Sequence, residues 1–188
     1  MGILGIYASS VLKVTNSYES IATVTVGSGG SSTISFSSIP STYKHLQIRA
    51  IARDNRADAG TSSLRLQFNS DTGSNYYTNH RITGSGSSAV AGAGATGAFI
   101  LFTESASGNS TANCFSASVV DVLDYVNTNK YKTTRTLHGA DLNDANGAVV
   151  FRSGLWMSTS AISTITITHN NGSNLVQYSQ FALYGIKG

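Results

Sequence analysis

From Ile21 to the C-terminus, apolar and polar residues alternate with a period of two in runs rich in Val, Ile, Thr, Tyr and Phe. That period belongs to extended chain, where successive side chains point to opposite faces. Clusters of Gly, Ser, Asn and Asp separate the runs and supply turns. The pattern predicts strands over Ile21–Val26, Ser32–Phe36, Lys44–Arg53, Ser63–Asn69, Ala98–Thr103, Asn113–Leu123, Tyr131–His138, Ala148–Met157, Ser163–His169 and Tyr178–Ile186. Helical periodicity is weak everywhere; the best stretch, Leu4 to Leu12, is short and Ser-rich. About ten strands need two stacked sheets or a closed barrel. The expected fold is all-β, an antiparallel two-sheet β-sandwich.

Alternation also assigns faces. Leu46, Ile48, Ala50 and Ala52 share one side of their strand, with His45, Gln47, Arg49, Ile51 and Arg53 on the other; Leu64, Leu66 and Phe68 oppose Arg65, Gln67 and Asn69. One apolar face per strand is the antiparallel pattern, the second face being wet or packed on a neighbour. The expected core comprises Leu46, Ile48, Leu64, Leu66, Phe68, Val120, Val122, Leu155, Ile165, Ile167, Phe181 and Leu183, and Trp156 also alternates like a core residue. Gly27-Ser-Gly-Gly30 predicts a hairpin between the first two strands, and Asn170-Asn-Gly172 predicts another before the last strand. The small-residue stretch from Gly84 to Gly97 reads as a mobile surface or contact loop.

Length and charge narrow the function classes. The chain has 188 residues, 40% apolar and only 11% charged, with 19 Gly and 1 Pro. It divides into an N-terminal arm, residues 1–18, and a β-sandwich domain, residues 19–188. The pI near 9.1 rests on 12 Lys and Arg against 9 Asp and Glu, and no basic run is dense enough for a phosphate-neutralising surface. Nucleic acid is not an expected partner. No apolar stretch approaches the roughly 20 residues that span a bilayer, so no membrane partner is expected. The start lacks the cationic lead of a secretory signal, and Ile6 stands where myristoylation prefers Ser or Thr; the arm reads as mature sequence.

Candidate chemistry is sparse. Cys114 is the one cysteine, which excludes an intrachain disulfide and multi-cysteine zinc sites. His45, His80, His138 and His169 stand apart and read as surface or interface residues. Gly92-Ala-Gly-Ala-Thr-Gly97 matches a dinucleotide fingerprint in letters but precedes a β-like run where the mechanism needs a helix. Asp121 and Asp124 look like a strand end leaving through an Asx turn rather than a glycosidase pair. Asn69 to Tyr76 offers oxygen ligands but reads as a hydrogen-bonded turn rather than a calcium loop. No Gly-x-Ser-x-Gly elbow occurs. No catalytic residue, metal or cofactor is therefore expected. Arg49, Arg53 and Arg65 would form an anion or partner patch if their two strands paired, with pairing to Asp54 or Asp58 as the alternative. Tyr76, Tyr77, Tyr125, Tyr131 and Trp156 could stack on sugars but are more often packing residues in a sandwich.

Several phrases are distinctive as a set: Phe36-Ser-Ser-Ile-Pro-Ser-Thr-Tyr-Lys-His-Leu-Gln-Ile-Arg49, Leu66 to Tyr76, Asp121-Val-Leu-Asp-Tyr125, Ser153-Gly-Leu-Trp-Met157 and Phe181-Ala-Leu-Tyr-Gly-Ile-Lys187. Together they resemble small virion proteins of tailed bacteriophages. The resemblance implies a jelly-roll-like sandwich, non-enzymatic, made in the host cytoplasm and carried on the particle surface. It would decorate or reinforce the capsid as a cement or head-fibre protein, or serve as a tail fibre or receptor-binding appendage. The implied partners are the major capsid protein or other virion proteins, further copies of itself as a homotrimer, and a host surface glycan. A low-charge polar surface suits close approach of identical copies. In the arm, Ile3, Leu4, Ile6, Tyr7, Val11 and Leu12 are the expected capsid or subunit contacts.

Overall fold

The computed structural model describes residues 17–143 and 146–188, and every regular element among them is a β-strand. In chain order these are β1 (Tyr18–Thr25), β2 (Thr33–Phe36), β3 (His45–Ala52), β4 (Thr61–Phe68), β5 (Tyr76–Ser85), β6 (Ser88–Gly92), β7 (Ala95–Gly97), β8 (Ile100–Ala106), β9 (Ser116–Val122), β10 (Lys132–Ala140), β11 (Ala148–Trp156), β12 (Ile165–His169) and β13 (Gln180–Ile186). The ladders between them are antiparallel. They build a sheet of nine strands in the order β1-β13-β3-β9-β10-β11-β5-β6, with β7 also on β5, and a sheet of four in the order β2-β12-β4-β8. The two stack as an antiparallel β-sandwich, as the alternation predicts.

Most connections carry the chain from one sheet to the other. From β1 to β4 the chain alternates between the large sheet and the small one, as it does from β8 to β9 and from β12 to β13. Both expected hairpins are therefore absent. Gly30 N–H does donate to the Gly27 carbonyl at 3.0 Å with Gly30 at φ +70°, but the turn delivers Ser31 to Leu175 and the chain to the opposite sheet. At Asn170–Gly172, likewise, Gly172 N–H donates to His169 O, yet β12 and β13 lie in different sheets. Turn chemistry sets local backbone direction and does not choose the sheet that receives the next strand.

The stretch from Gly84 to Gly97, expected as a loop, instead contributes the end of β5, β6 and β7. Ladder hydrogen bonds are made by backbone, so a run of Ser, Ala and Gly can extend an edge that is already in place.

The core lies between the sheets. Leu46, Ile48, Leu64, Leu66, Phe68, Val120, Val122, Ile165, Ile167, Phe181 and Leu183 are buried as expected, joined by Ile34, Phe36, Ile100 and Phe102. Leu155 departs from this: it is partly exposed, because the inward positions of β11 are Val150, Arg152, Gly154 and Trp156. Neighbours on a strand cannot share a face, and Trp156 decides the phase. Its ring sits 5.5 Å from that of Phe68 and 6.2 Å from that of Tyr76. Gly154 suits the same register, since a Cβ there would fall 2.4 Å from Ile100 Cγ2.

Candidate functional site

The phase of β11 turns the centre of the large sheet inside out. On β10 the buried positions are Lys132, Thr134, Thr136, His138 and Ala140, and on β11 Arg152 is buried beside Val150. The apolar residues of the same strands, Leu137, Val149 and Phe151, point to solvent. Leu137 lies opposite Val119 on one side and Phe151 on the other, and Phe151 lies opposite Ile82. One row further along, Ile51, Ala117, Gly139, Val149 and Gly84 follow across five strands. Large apolar side chains on this face are far from covered: Leu137 is 57% exposed, Val149 59% and Ile82 58%. Ala117 and Gly139 leave a shallow groove of about 490 Å³ between Ile51, Val119, Leu137 and Val149. A second hollow, of about 520 Å³, lies beside Ile82 and Phe151, with His80, Arg81 and Ser153 also in its lining.

The border of this face is polar and internally satisfied. Arg135 donates to Asp121 Oδ2 from Nη2 at 2.8 Å, and Gln47 Nε2 donates to Asp121 Oδ1 at 2.9 Å. Arg49 Nε donates to Gln47 Oε1 at 3.0 Å while its guanidinium lies 5.2 Å from the Tyr184 ring centroid and 5.9 Å from that of Tyr18. Asp121 is thus the centre of a surface network and not half of a carboxylate pair. Asp124 turns the chain at φ 48° and meets Lys130 and Lys44, its carboxyl held below the ordinary range chiefly by the Lys130 bond.

Beneath the apolar face lies a buried polar layer. Arg152, 1% exposed, donates to Glu104 Oε1 through Nη2, and Thr61 Oγ1 donates to the other Glu104 oxygen. Among the described residues Arg152 Nε and Nη1 and His138 Nε2 have no hydrogen-bond partner. His138 Nδ1 is 3.1 Å from Ser118 Oγ, which also bonds Thr103. Burial pushes the His138 pKa down to about 4, so its imidazole is neutral at pH 7. A second cluster joins buried Asp54 to Ser105 Oγ and to His169 Nε2 at 3.2 Å. Each is a hydroxyl, an imidazole and a carboxylate in one neighbourhood. In the second, serine and histidine both engage the aspartate rather than each other, and both clusters sit inside the sandwich. They are structural polar networks, not an accessible nucleophile and base.

The expected arginine patch does not form. Strands β3 and β4 lie in different sheets, which separates Arg65 from Arg49. Arg65 bonds Asn170 and covers the Phe99 ring at 4.1 Å. Arg53 is buried and donates to four carbonyls, those of Gly108, Ser110, Thr111 and Cys114, each at 2.9 Å, organising the turn before β9. The alternative partners go elsewhere, since Asp58 pairs with Arg56 and Asp54 with His169. Asn69 to Tyr76 is the hydrogen-bonded turn its letters suggest. Asp71 accepts from Trp156 Nε1 at 2.7 Å, from Gly73 N at 2.9 Å and from Asn75, and the Trp156 bond above all lowers its pKa. Tyr76, Tyr125 and Trp156 are core residues; Tyr131 is exposed and Tyr77 half-buried against His80.

Among the described residues no group of three or more His, Cys, Asp or Glu side chains could hold a metal, and no helix is long and apolar enough to cross a membrane. The expected arm contacts Ile3, Leu4, Ile6, Tyr7, Val11 and Leu12 lie outside the described residues. The outward face was hidden from the alternation reading, although Val119-Val120 and Val149-Val150-Phe151 carried a signal. Consecutive apolar residues in an antiparallel strand mean that both faces carry apolar surface. No family model, curated protein or solved structure matches the chain.

Proposed function

We propose that the protein is a non-enzymatic assembly subunit of a bacteriophage particle, one that decorates or reinforces the capsid. The observation that carries this reading is the uncharged apolar face of Val119, Leu137, Phe151, Ile82, Ile51 and Val149, which a subunit working alone would keep in water. Large contiguous apolar surface of this kind belongs to protein contacts. The interleaved strand order supports the jelly-roll part of the reading. Strands β1-β13-β3-β9 face β2-β12-β4-β8, the alternation expected of two intertwined Greek keys, while β10, β11 and β5 to β7 widen one sheet beyond β9. In this reading the arm attaches the subunit to the capsid and the widened sheet serves lateral contacts.

Labelling intact particles with antibody-gold against the protein, and weighing its copy number per particle, tests the proposal. Regular labelling over the head, lost when residues 2–12 are deleted from an otherwise folded chain, is the expected result. Labelling confined to the tail tip would replace capsid decoration with a receptor-binding role, and a particle free of the protein would end the virion reading.

A further inference from the structure

We infer that the outward face of β3, β9, β10, β11 and β5 binds the same face of a second copy, sheet against sheet. The inference rests on the assembly reading above and names the partner of that face. Its extent suits a pairing of two subunits. Five strands about 4.8 Å apart, read over the two apolar rows and two further rows that begin with that of Asp121 and Arg135, outline roughly 650 Å² per subunit, and including β13 and β6 brings this to about 900 Å², against the roughly 800 Å² each partner gives to a standard interface.

The face is also complementary to itself. It has knobs, Leu137 and Phe151, directly beside hollows floored by Ala117, Gly139 and Gly84, where a Cβ on either glycine would meet nothing within 4 Å. A two-fold axis through such a face brings the knobs of one copy to the hollows of the other, as isologous contacts require. Two twisted sheets then stack about 10 Å apart, as the two sheets within the subunit do. Burial of charge does not oppose the contact. The two apolar rows carry no charged residue from β9 to β5, and the bordering Arg135, Asp121, Gln47 and Arg49 already satisfy one another. The polar lining of the two hollows stands at their margins, Arg49 and Gln180 toward β3 and β13 and His80 and Ser153 toward β5, while from β9 to β5 the two rows between them present only apolar side chains and glycine. An apolar, neutral, self-fitting surface selects a copy of itself.

The test is sedimentation equilibrium of the purified full chain over a wide concentration range, with two variants that fail for opposite reasons. Phe151→Lys removes a knob and adds a charge; Gly139→Leu fills a hollow at a position where the side chain has open space in the subunit. Both should leave circular dichroism unchanged and weaken dimerisation by roughly 30-fold or more, the effect of losing a central anchor. Ser35→Lys, at an exposed position of β2 in the other sheet, should leave the dimer intact. A wild-type chain that stays monomeric, a trimer, or a dimer indifferent to both variants would overturn the inference. If the wild-type chain is monomeric but Phe151→Lys is lost from particles, the assembly proposal stands and the face belongs to another virion protein. If the dimer behaves as described while the protein is absent from particles, the pairing stands and the assembly proposal falls.

Discussion

Replacing Glu104 with Gln tests the buried polar layer most directly. The substitution keeps volume and shape but leaves the Arg152 guanidinium, 1% exposed, without its counter-charge. Among the described residues two of the three guanidinium nitrogens have no hydrogen-bond partner, so the positive charge leans chiefly on Glu104. Removing one member of a buried pair costs about 3–5 kcal/mol, and the exposed side of Glu104 argues for the lower end. That is a large part of the roughly 5–15 kcal/mol holding an ordinary domain together. For a chain of this size about 3 kcal/mol corresponds to a fall in Tm of roughly 6–12 °C. Replacing both partners, Glu104→Gln with Arg152→Met, removes the orphaned charge as well as the pair, and should recover much of the loss. Guanidinium unfolding at pH 7 of the wild type, both single variants and the double variant gives the coupling directly. A loss under about 1 kcal/mol for Glu104→Gln, or a double variant less stable than Glu104→Gln alone, would refute the view that Arg152 is charged and dependent on Glu104.

Three further outcomes follow from the packing. Burial holds the His138 pKa down to about 4 in the folded chain against 6.5 for a free imidazole, so the unfolded state binds the extra proton between those values; stability should be full above about pH 6.5 and fall by on the order of 3 kcal/mol as pH drops to 4, and urea titrations from pH 4 to 7 should lose that slope in His138→Gln. The carboxyls of Glu19, Asp71 and Asp124, each held below its ordinary value, add a loss of the same sign only at the acid end of this range, and that part of the slope should survive in His138→Gln. Arg53→Met strands four carbonyls and should loosen the turn before β9, raising the rate at which a thiol reagent labels the half-buried Cys114; unchanged labelling would contradict the organising role of Arg53. Gly154→Ala places a methyl against Ile100 and Thr134 and should cost about 1–3 kcal/mol in thermal unfolding, less than additively with Ile100→Ala; additive losses would show that the two do not meet.

What the amino-acid sequence determined by itself was local. Alternation located the strands around Leu46, Leu66, Val120, Ile167 and Phe181 and assigned those residues to the core, because the two-residue period of extended chain and the preference of branched and aromatic side chains for it act over a few residues. The turn at Asn69 to Tyr76 was legible for the same reason, its Asp71 bonds to Gly73 and Asn75 spanning no more than four residues. Pairing was not legible. Backbone ladders are alike for every sequence, so nothing in Gly27–Gly30 or Asn170–Gly172 says that the chain must cross to the other sheet, and nothing in Gly84–Gly97 says that an edge is waiting for it. The inverted faces of β10 and β11 were decided last, by contacts far apart in the chain. Trp156 packs against Phe68 and Tyr76 and bonds Asp71, Ile100 closes on Gly154, and a strand's phase is all or nothing. With Trp156 inside, Arg152 must be inside and Phe151 outside, and it is that tertiary choice, made about 85 residues away from Asp71 along the chain, that creates both the buried ion pair and the apolar face.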